Sequence, residues 1–493
     1  MRNIIALRAV RLSFMTTLVK IVKWLATVLA VLVLTLYFSR AFDARNMMEP
    51  GPEHRIVFEH EFDAARETGT DWLAYLAIED ELQIELEQSI DKDARAGSQV
   101  DRYSADSLTF PGNYSGNWNR SYEVSVPAPR GVAVLLHGLT DSPYSMLATA
   151  QALAGAGYNV VVPRMPGHGF AVSGLLQARH EDWTAAVRVA VRHAAKQAAS
   201  EQSLIIGGYS NGGLLAVDYA LRCDDIDNLP CPDGLILLSP GLAISPFAAV
   251  MNWHAAISWM PYFQKFKWAE ILPEVDPFKF TSFPKRPAWE VHKISKRTHK
   301  AISHPDRAAK LPPILTFQSV VDSTISAPAI SSSLYDHLPA NGSELVLYDI
   351  NRESTLLQLV ENAADDPVNR YRSAAPLNYD VIILRNRSPS SVAVDSWFLS
   401  AGATEPVVEK TTYSWPDDLF SLSHIALPFR SDDPVYGDGS VRGAEDRGIV
   451  LGALAPRGER GVLRLTPNYF LRARHNPFME FQVRQLNRWL DEI

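Results

Sequence analysis

Between Tyr122 and Asp349 the chain alternates short apolar runs with helical stretches, and this alternation fixes the fold class. The runs are Tyr122–Val126, Val132–His137, Asn159–Pro163, Leu204–Tyr209, Gly234–Ser239, Ile314–Gln318 and Leu345–Asp349. Most are continuous in aliphatic residues rather than alternating, the pattern of strands buried on both faces. Ser145–Gly155, Trp183–Ser200 and Gly212–Leu221 read as helices between them. Strands joined through helices lie parallel, so the expected architecture is α/β, a mostly parallel central sheet with helices on both faces. Asp380–Arg385 and Thr411–Trp415 are further strand candidates, and Pro477–Leu490 closes the chain as a helix.

Charge divides the chain. Residues 1–40 hold six basic and no acidic residues, so a net charge of −8 leaves −14 for the rest. That sign argues against a nucleic-acid partner. Within this basic segment lies the apolar run Trp24–Phe38, which extends back to Leu18 past Lys20 and Lys23. Its length suits a membrane-spanning helix, and the positive flank predicts a cytoplasmic N-terminus with all that follows exported, periplasmic in a Gram-negative cell. The alternative is a signal peptide cut at Ser39-Arg40-Ala41, giving a secreted protein. Export would permit a disulfide between Cys223 and Cys231; two free thiols are the other reading. The expected organisation is an anchor over 1–44, a linker and helical extension over 45–119, and the main domain over 120–493. In the extension, Thr70–Ser89 reads as an amphipathic helix, with Trp72, Leu76, Leu82 and Leu86 facing inward and Glu79 among the outward acids.

The chemistry centres on Gly208-Tyr209-Ser210-Asn211-Gly212. This G-x-S-x-G stands between a strand and a helix, where the glycines permit a sharp turn that exposes the serine. Such a nucleophile needs a histidine base and an acid to orient it, following in the order Ser, acid, His. Asp322 lies just past an apolar run, and His424 sits in S-L-S-H-I-A-L-P-F near the C-terminus. Asp349, Asp306 and His475 are the rivals. Backbone N–H groups of Leu139 and Asn211 are the expected oxyanion donors. His137 and His168 precede the serine and read as loop supports. No metal or cofactor is required.

The segments H-G-L-T-D-S-P-Y-S, P-R-M-P-G-H-G and G-Y-S-N-G-G, the Asp322 segment and S-H-I-A-L-P-F resemble the α/β-hydrolase superfamily. The resemblance is to its monoacylglycerol-lipase and serine-aminopeptidase-like branch. It implies an α/β-hydrolase fold with a cap, here about residues 240–300, and a serine hydrolase acting on esters of lipids or other apolar acyl groups. Acyl transfer and peptide hydrolysis with the same triad are the alternatives. An insertion is expected over about 350–410. The cap region carries eleven aromatics from Phe247 to Trp289, and nine Lys/Arg against four acids over residues 247–300. It reads either as an acyl pocket with a basic rim for anionic headgroups, or as a cap with its own aromatic core.

Overall fold

The computed structural model describes residues 2–91, 95, 97–199, 201–225, 229–242, 261–359, 366–372, 376–441, 448–457, 462, 465 and 467–493. It divides into two units. One comprises Met1–Glu49 with His254–Lys267, the other Pro50–Trp253 with Trp268–Ile493.

The first unit is dominated by the helix Arg2–Asn46 (α1). Its Thr17–Ser39 segment, 23 residues, is long and apolar enough to cross a membrane, a property shared with signal sequences. Trp24, Leu29, Leu32 and Phe38 are exposed along it.

The second unit is built on one ten-stranded sheet. Its strands are β1 (Tyr122–Val124), β2 (Gly131–Leu136), β3 (Tyr158–Val162), β4 (Ser203–Tyr209), β5 (Gly234–Leu238), β8 (Ile314–Ser319), β9 (Glu344–Tyr348), β10 (Asp380–Ser388), β11 (Ser391–Leu399) and β12 (Val407–Ser414). Between β5 and β8, a small separate ribbon pairs β6 (Trp268–Glu270) with β7 (Phe283–Pro284). In the large sheet the order is β1-β3-β2-β4-β5-β8-β9-β10-β11-β12. Pairing is parallel from β3 through β10 and antiparallel at both edges. This is the α/β architecture that the alternating runs imply.

The central strands feed two cores, as their period of two requires. Val132, Val134 and Leu136 of β2 join one cluster, together with the helices His180–Gln197 and Asn211–Ala220. Ala133 and Leu135 join the other, with residues of Leu147–Gly155 and the C-terminal helix Met479–Glu492. Cys223 and Cys231 are joined as a disulfide, their Cα atoms 5.2 Å apart.

Two boundaries differ from expectation. The compact unit begins at Pro50, not near residue 120. Ile56, Phe58, Phe62, Trp72, Tyr75, Ile78 and Leu82 belong to the same core cluster as β2 and β4. The helix Trp72–Ser89 turns Glu79 inward, fully buried, where it receives hydrogen bonds from the backbone N–H of Ser121 at 3.0 Å and its hydroxyl at 2.6 Å. Arg164 lies 3.3 Å away from the same carboxylate. The second difference lies in the region expected as an insertion. There β10 and β11 extend the main sheet, and β11 pairs antiparallel to both neighbours. An antiparallel hairpin needs only a short connection, so no helix marks it in the sequence.

Candidate active site

Ser210 stands at the turn from β4 into the helix Asn211–Ala220, with φ +55° and ψ −114°. A serine holds this sparsely populated conformation only where its surroundings fix it. Its N–H donates to Leu238 O at 2.9 Å, and its carbonyl accepts from Gly241 N at 2.8 Å. The flanking glycines are needed for close approach. A methyl on Gly212 would overlap the Leu136 carbonyl, and one on Gly208 would overlap the Gly212 backbone. Gly212→Ala should therefore lower stability by about 3 kcal/mol, near the upper end of overpacking costs. Urea denaturation checks this, and an unchanged midpoint would contradict it.

Asp322 lies in the turn after β8, at its C-terminal end. Its Oδ1 accepts from Thr324 N at 2.7 Å and Ile325 N at 2.9 Å. Its Oδ2 accepts from Gln318 Nε2 at 3.1 Å and lies 2.7 Å from His424 Nδ1. Burial alone would raise this carboxyl. The hydrogen bond and charge of His424, with the two backbone N–H groups, outweigh burial and hold it below the usual carboxylate value. His424 opens a short 3-10 turn and is buried. With Nδ1 facing Asp322, its Nε2 is left on the opposite edge of the ring. The Tyr209 ring packs against the imidazole at 5.1 Å between centroids.

Ser210 and His424 line one cleft of about 320 Å³, together with Leu139 and Asn211. Neither the Leu139 nor the Asn211 N–H donates to a backbone carbonyl among the described residues. Asn211 is the first residue of its helix, where N–H groups have no intrahelical partner. The Leu139 loop is fixed by Thr140 O, which accepts from Phe280 N at 2.8 Å. Phe283, Ala288, Val291, Ile325 and Ile425 give the cleft an apolar wall.

Residues 127–352 match the family model described as serine aminopeptidase, S33. This part of the chain has the α/β-hydrolase fold and is similar to that branch. A curated relative, the thermostable monoacylglycerol lipase of Bacillus sp. strain H-257, is 33% identical over 124 residues. That alignment takes in 25% of this chain, and the chain spans 46% of the relative's length. Among solved structures, one from a study of two metagenome-derived lipolytic enzymes is 22% identical, with a TM-score of 0.38, over 47% of this chain and 87% of its own. The monoacylglycerol lipase of Paleococcus ferrophilus is 21% identical, with a TM-score of 0.35, over 46% of this chain and 88% of its own.

The rival residues of this α/β-hydrolase are engaged elsewhere or lie outside the cleft. Asp349 accepts two hydrogen bonds from Arg352, at 2.7 and 2.9 Å. Asp306 is exposed, and neither it nor His475 lines the cleft. His137 uses both ring nitrogens on backbone, Nδ1 at 2.9 Å from Gly138 O and Nε2 accepting from Met165 N at 2.9 Å. Burial holds its pKa well below the ordinary value, and that of His168 at about 3.

The described residues of the cap region divide between its two readings, with Phe283, Ala288 and Val291 on the cleft wall and Phe278 in an aromatic core. Phe247, Trp253 and Trp259 lie outside the described residues, as do the side chains of Tyr262 and Phe263. Phe278 stacks on Tyr144, with ring centroids 4.1 Å apart, in a small core with Phe429 and Tyr436. Three of the expected rim cations are taken by carboxylates. Lys279 pairs with Asp141 at 2.9 Å, Lys293 with Glu290 at 3.1 Å and Arg297 with Asp218 at 2.5 Å.

Sequence reasoning missed three residues of the site. Gln318 steadies the Asp322 carboxylate; its signal is a lone amide in the apolar run I-L-T-F-Q-S. Asp141 and Lys279 form a partly buried ion pair at the cleft, joined across 138 positions that no local pattern connects.

Proposed function

We propose that the protein is a serine hydrolase of carboxylic esters. Ser210 Oγ attacks the ester carbonyl, and His424 Nε2 takes its proton as base. Asp322 keeps the imidazole oriented and stabilises its cation. The N–H groups of Leu139 and Asn211 receive the oxyanion. His424 then protonates the leaving alcohol, and a water deprotonated by the same imidazole releases the acid from Ser210. The observation that carries this reading is the 2.7 Å contact between His424 and Asp322 beside the strained Ser210 turn.

The apolar wall favours an acyl chain in the cleft, in keeping with the lipase activity named for the Bacillus relative. Peptidase action on a free amino terminus would need an unpaired acid near the serine. Among the described residues, the carboxylates lining or adjoining the cleft are taken, Asp141 by Lys279 and Asp322 by His424. A series of p-nitrophenyl esters from short to long chain tests the proposal. Turnover that depends on acyl length supports it; turnover of aminoacyl anilides in place of esters would overturn it.

We also propose that the apolar N-terminal helix anchors the protein with the hydrolase unit exported. Thiol blocking of denatured protein from its native membrane tests the oxidising compartment. Two cysteines should become alkylated only after reduction. Full alkylation without reductant would contradict the disulfide and leave export resting on the charge asymmetry of the N-terminal segment alone.

A further inference from the structure

Among the described residues, each acid at the cleft has a cationic or imidazole partner, while the cation Arg472 has none. Arg472 lines the cleft with Ser210 and His424 and has neither a hydrogen bond nor an ion pair among the described residues. It is half-buried. The other cation lining the cleft, Lys279, is held by Asp141.

The segment that carries Arg472 is tied down by the residues that follow it. The Ser423 hydroxyl, next to His424, donates to Ala473 O. Arg474 is buried, donates to Tyr469 O at 3.1 Å, and lies 3.7 Å from Asp276. Asn476 N donates to Phe429 O at 2.8 Å. Arg472 is thus placed at the cleft by its neighbours, without a partner for its own guanidinium among the described residues. It is near enough to Tyr209 to oppose the upward pull of burial on that phenol.

A wholly apolar ester filling the cleft would strip water from this guanidinium and return nothing, which is costly for a charged group. An ester bearing its own negative charge would replace that water with a charge-assisted, bidentate contact. We infer that the substrate carries an anionic group, carboxylate or phosphate, and that Arg472 receives it while Ser210 meets the ester carbonyl. This inference rests on the proposed esterase reaction and narrows its substrate class. Arg472 is a specificity-determining residue in it, with no part in the bond-breaking steps.

The test compares matched neutral and anionic esters. One pair is p-nitrophenyl hexanoate and mono-p-nitrophenyl adipate, with the charge on the acyl side. The other is 1-lauroylglycerol and its 3-phosphate, with the charge on the alcohol side. The readout is the ratio of kcat/KM, anionic to neutral, with active sites counted by fluorophosphonate so that misfolded variants do not distort it. In the wild-type full chain, at least one pair should favour the anion by tenfold or more, and which pair does so identifies the source of the charge. Arg472→Gln should bring that ratio to about one, Arg472→Glu below one, and Arg472→Lys should keep part of the preference. Raised salt should reduce the wild-type ratio. Turnover of esters with no anionic preference, or with a preference unchanged in Arg472→Gln, would overturn the inference and leave the esterase proposal standing. Wild-type protein that turns over no ester would overturn both.

Discussion

Ser210→Ala should reduce ester hydrolysis by about 10⁴–10⁶-fold in kcat while leaving the fold intact. The substitution removes only the attacking oxygen, and the turn geometry is set by backbone contacts to Leu238 and Gly241. His424→Ala should cost a similar factor, because the serine loses its base. Asp322→Asn should cost less, about 10⁴-fold, since an amide in place of the carboxylate favours the wrong imidazole tautomer. Residues that act as a unit are not additive, so Ser210→Ala combined with either change should fall little further. Steady-state kinetics on a p-nitrophenyl ester checks the single and double variants. Near-normal rates in Asp322→Asn, with a large loss in Asp349→Asn, would show that the acid is misplaced.

Arg164→Met should destabilise the hydrolase unit by about 3–5 kcal/mol, the range for removing one partner of a buried ion pair. The guanidinium is fully buried. It donates to Glu61 at 2.8 and 3.1 Å, to Glu79 at 3.3 Å, and to the carbonyls of Met165 and His168 at 3.2 and 3.1 Å. Methionine fills similar space but leaves the Glu79 carboxyl buried without this cation. Burial already raises the Glu79 pKa, against the opposing charge of Arg164, and the substitution removes that opposition. A carboxyl raised above its unfolded value binds a proton more tightly when folded. Its folded state therefore loses stability as pH rises through and beyond the unfolded value of about 4.5. The deficit of Arg164→Met should be larger at pH 8 than at pH 5.5. Urea denaturation at both values tests this, and equal stability of variant and wild type at pH 8 would contradict it.

This network also shows why parts of the molecule escape a sequence reading. Glu79 follows the pattern of a solvated face on an amphipathic helix, and its partner Arg164 lies 85 positions away. Charge complementarity over such a distance leaves no local trace, so the helix Trp72–Ser89 reads as an extension when it is part of the core. The central strands were legible because burial on both faces leaves continuous aliphatic runs. The Ser210 turn was legible because two glycines at fixed offsets are required by close backbone contacts at Leu136 and Gly212. Ser391–Leu399 was not, because at S-V-A-V-D-S-W-F-L polar residues interrupt the apolar run of a strand near the sheet edge. Arg472 was not legible either, since an arginine in R-A-R-H-N-P looks like any solvated turn until its neighbours Ser423 and Asp276 are seen to place it.

The proposed reaction passes through a covalent acyl-enzyme on Ser210, and mass spectrometry tests this most directly. The protein is mixed with a p-nitrophenyl ester, quenched in acid within the first turnovers, digested and mapped. A single acyl adduct should appear on the peptide containing Ser210 and be absent from the Ser210→Ala protein. An adduct on another residue, or hydrolysis that persists in Ser210→Ala at the wild-type rate, would contradict it.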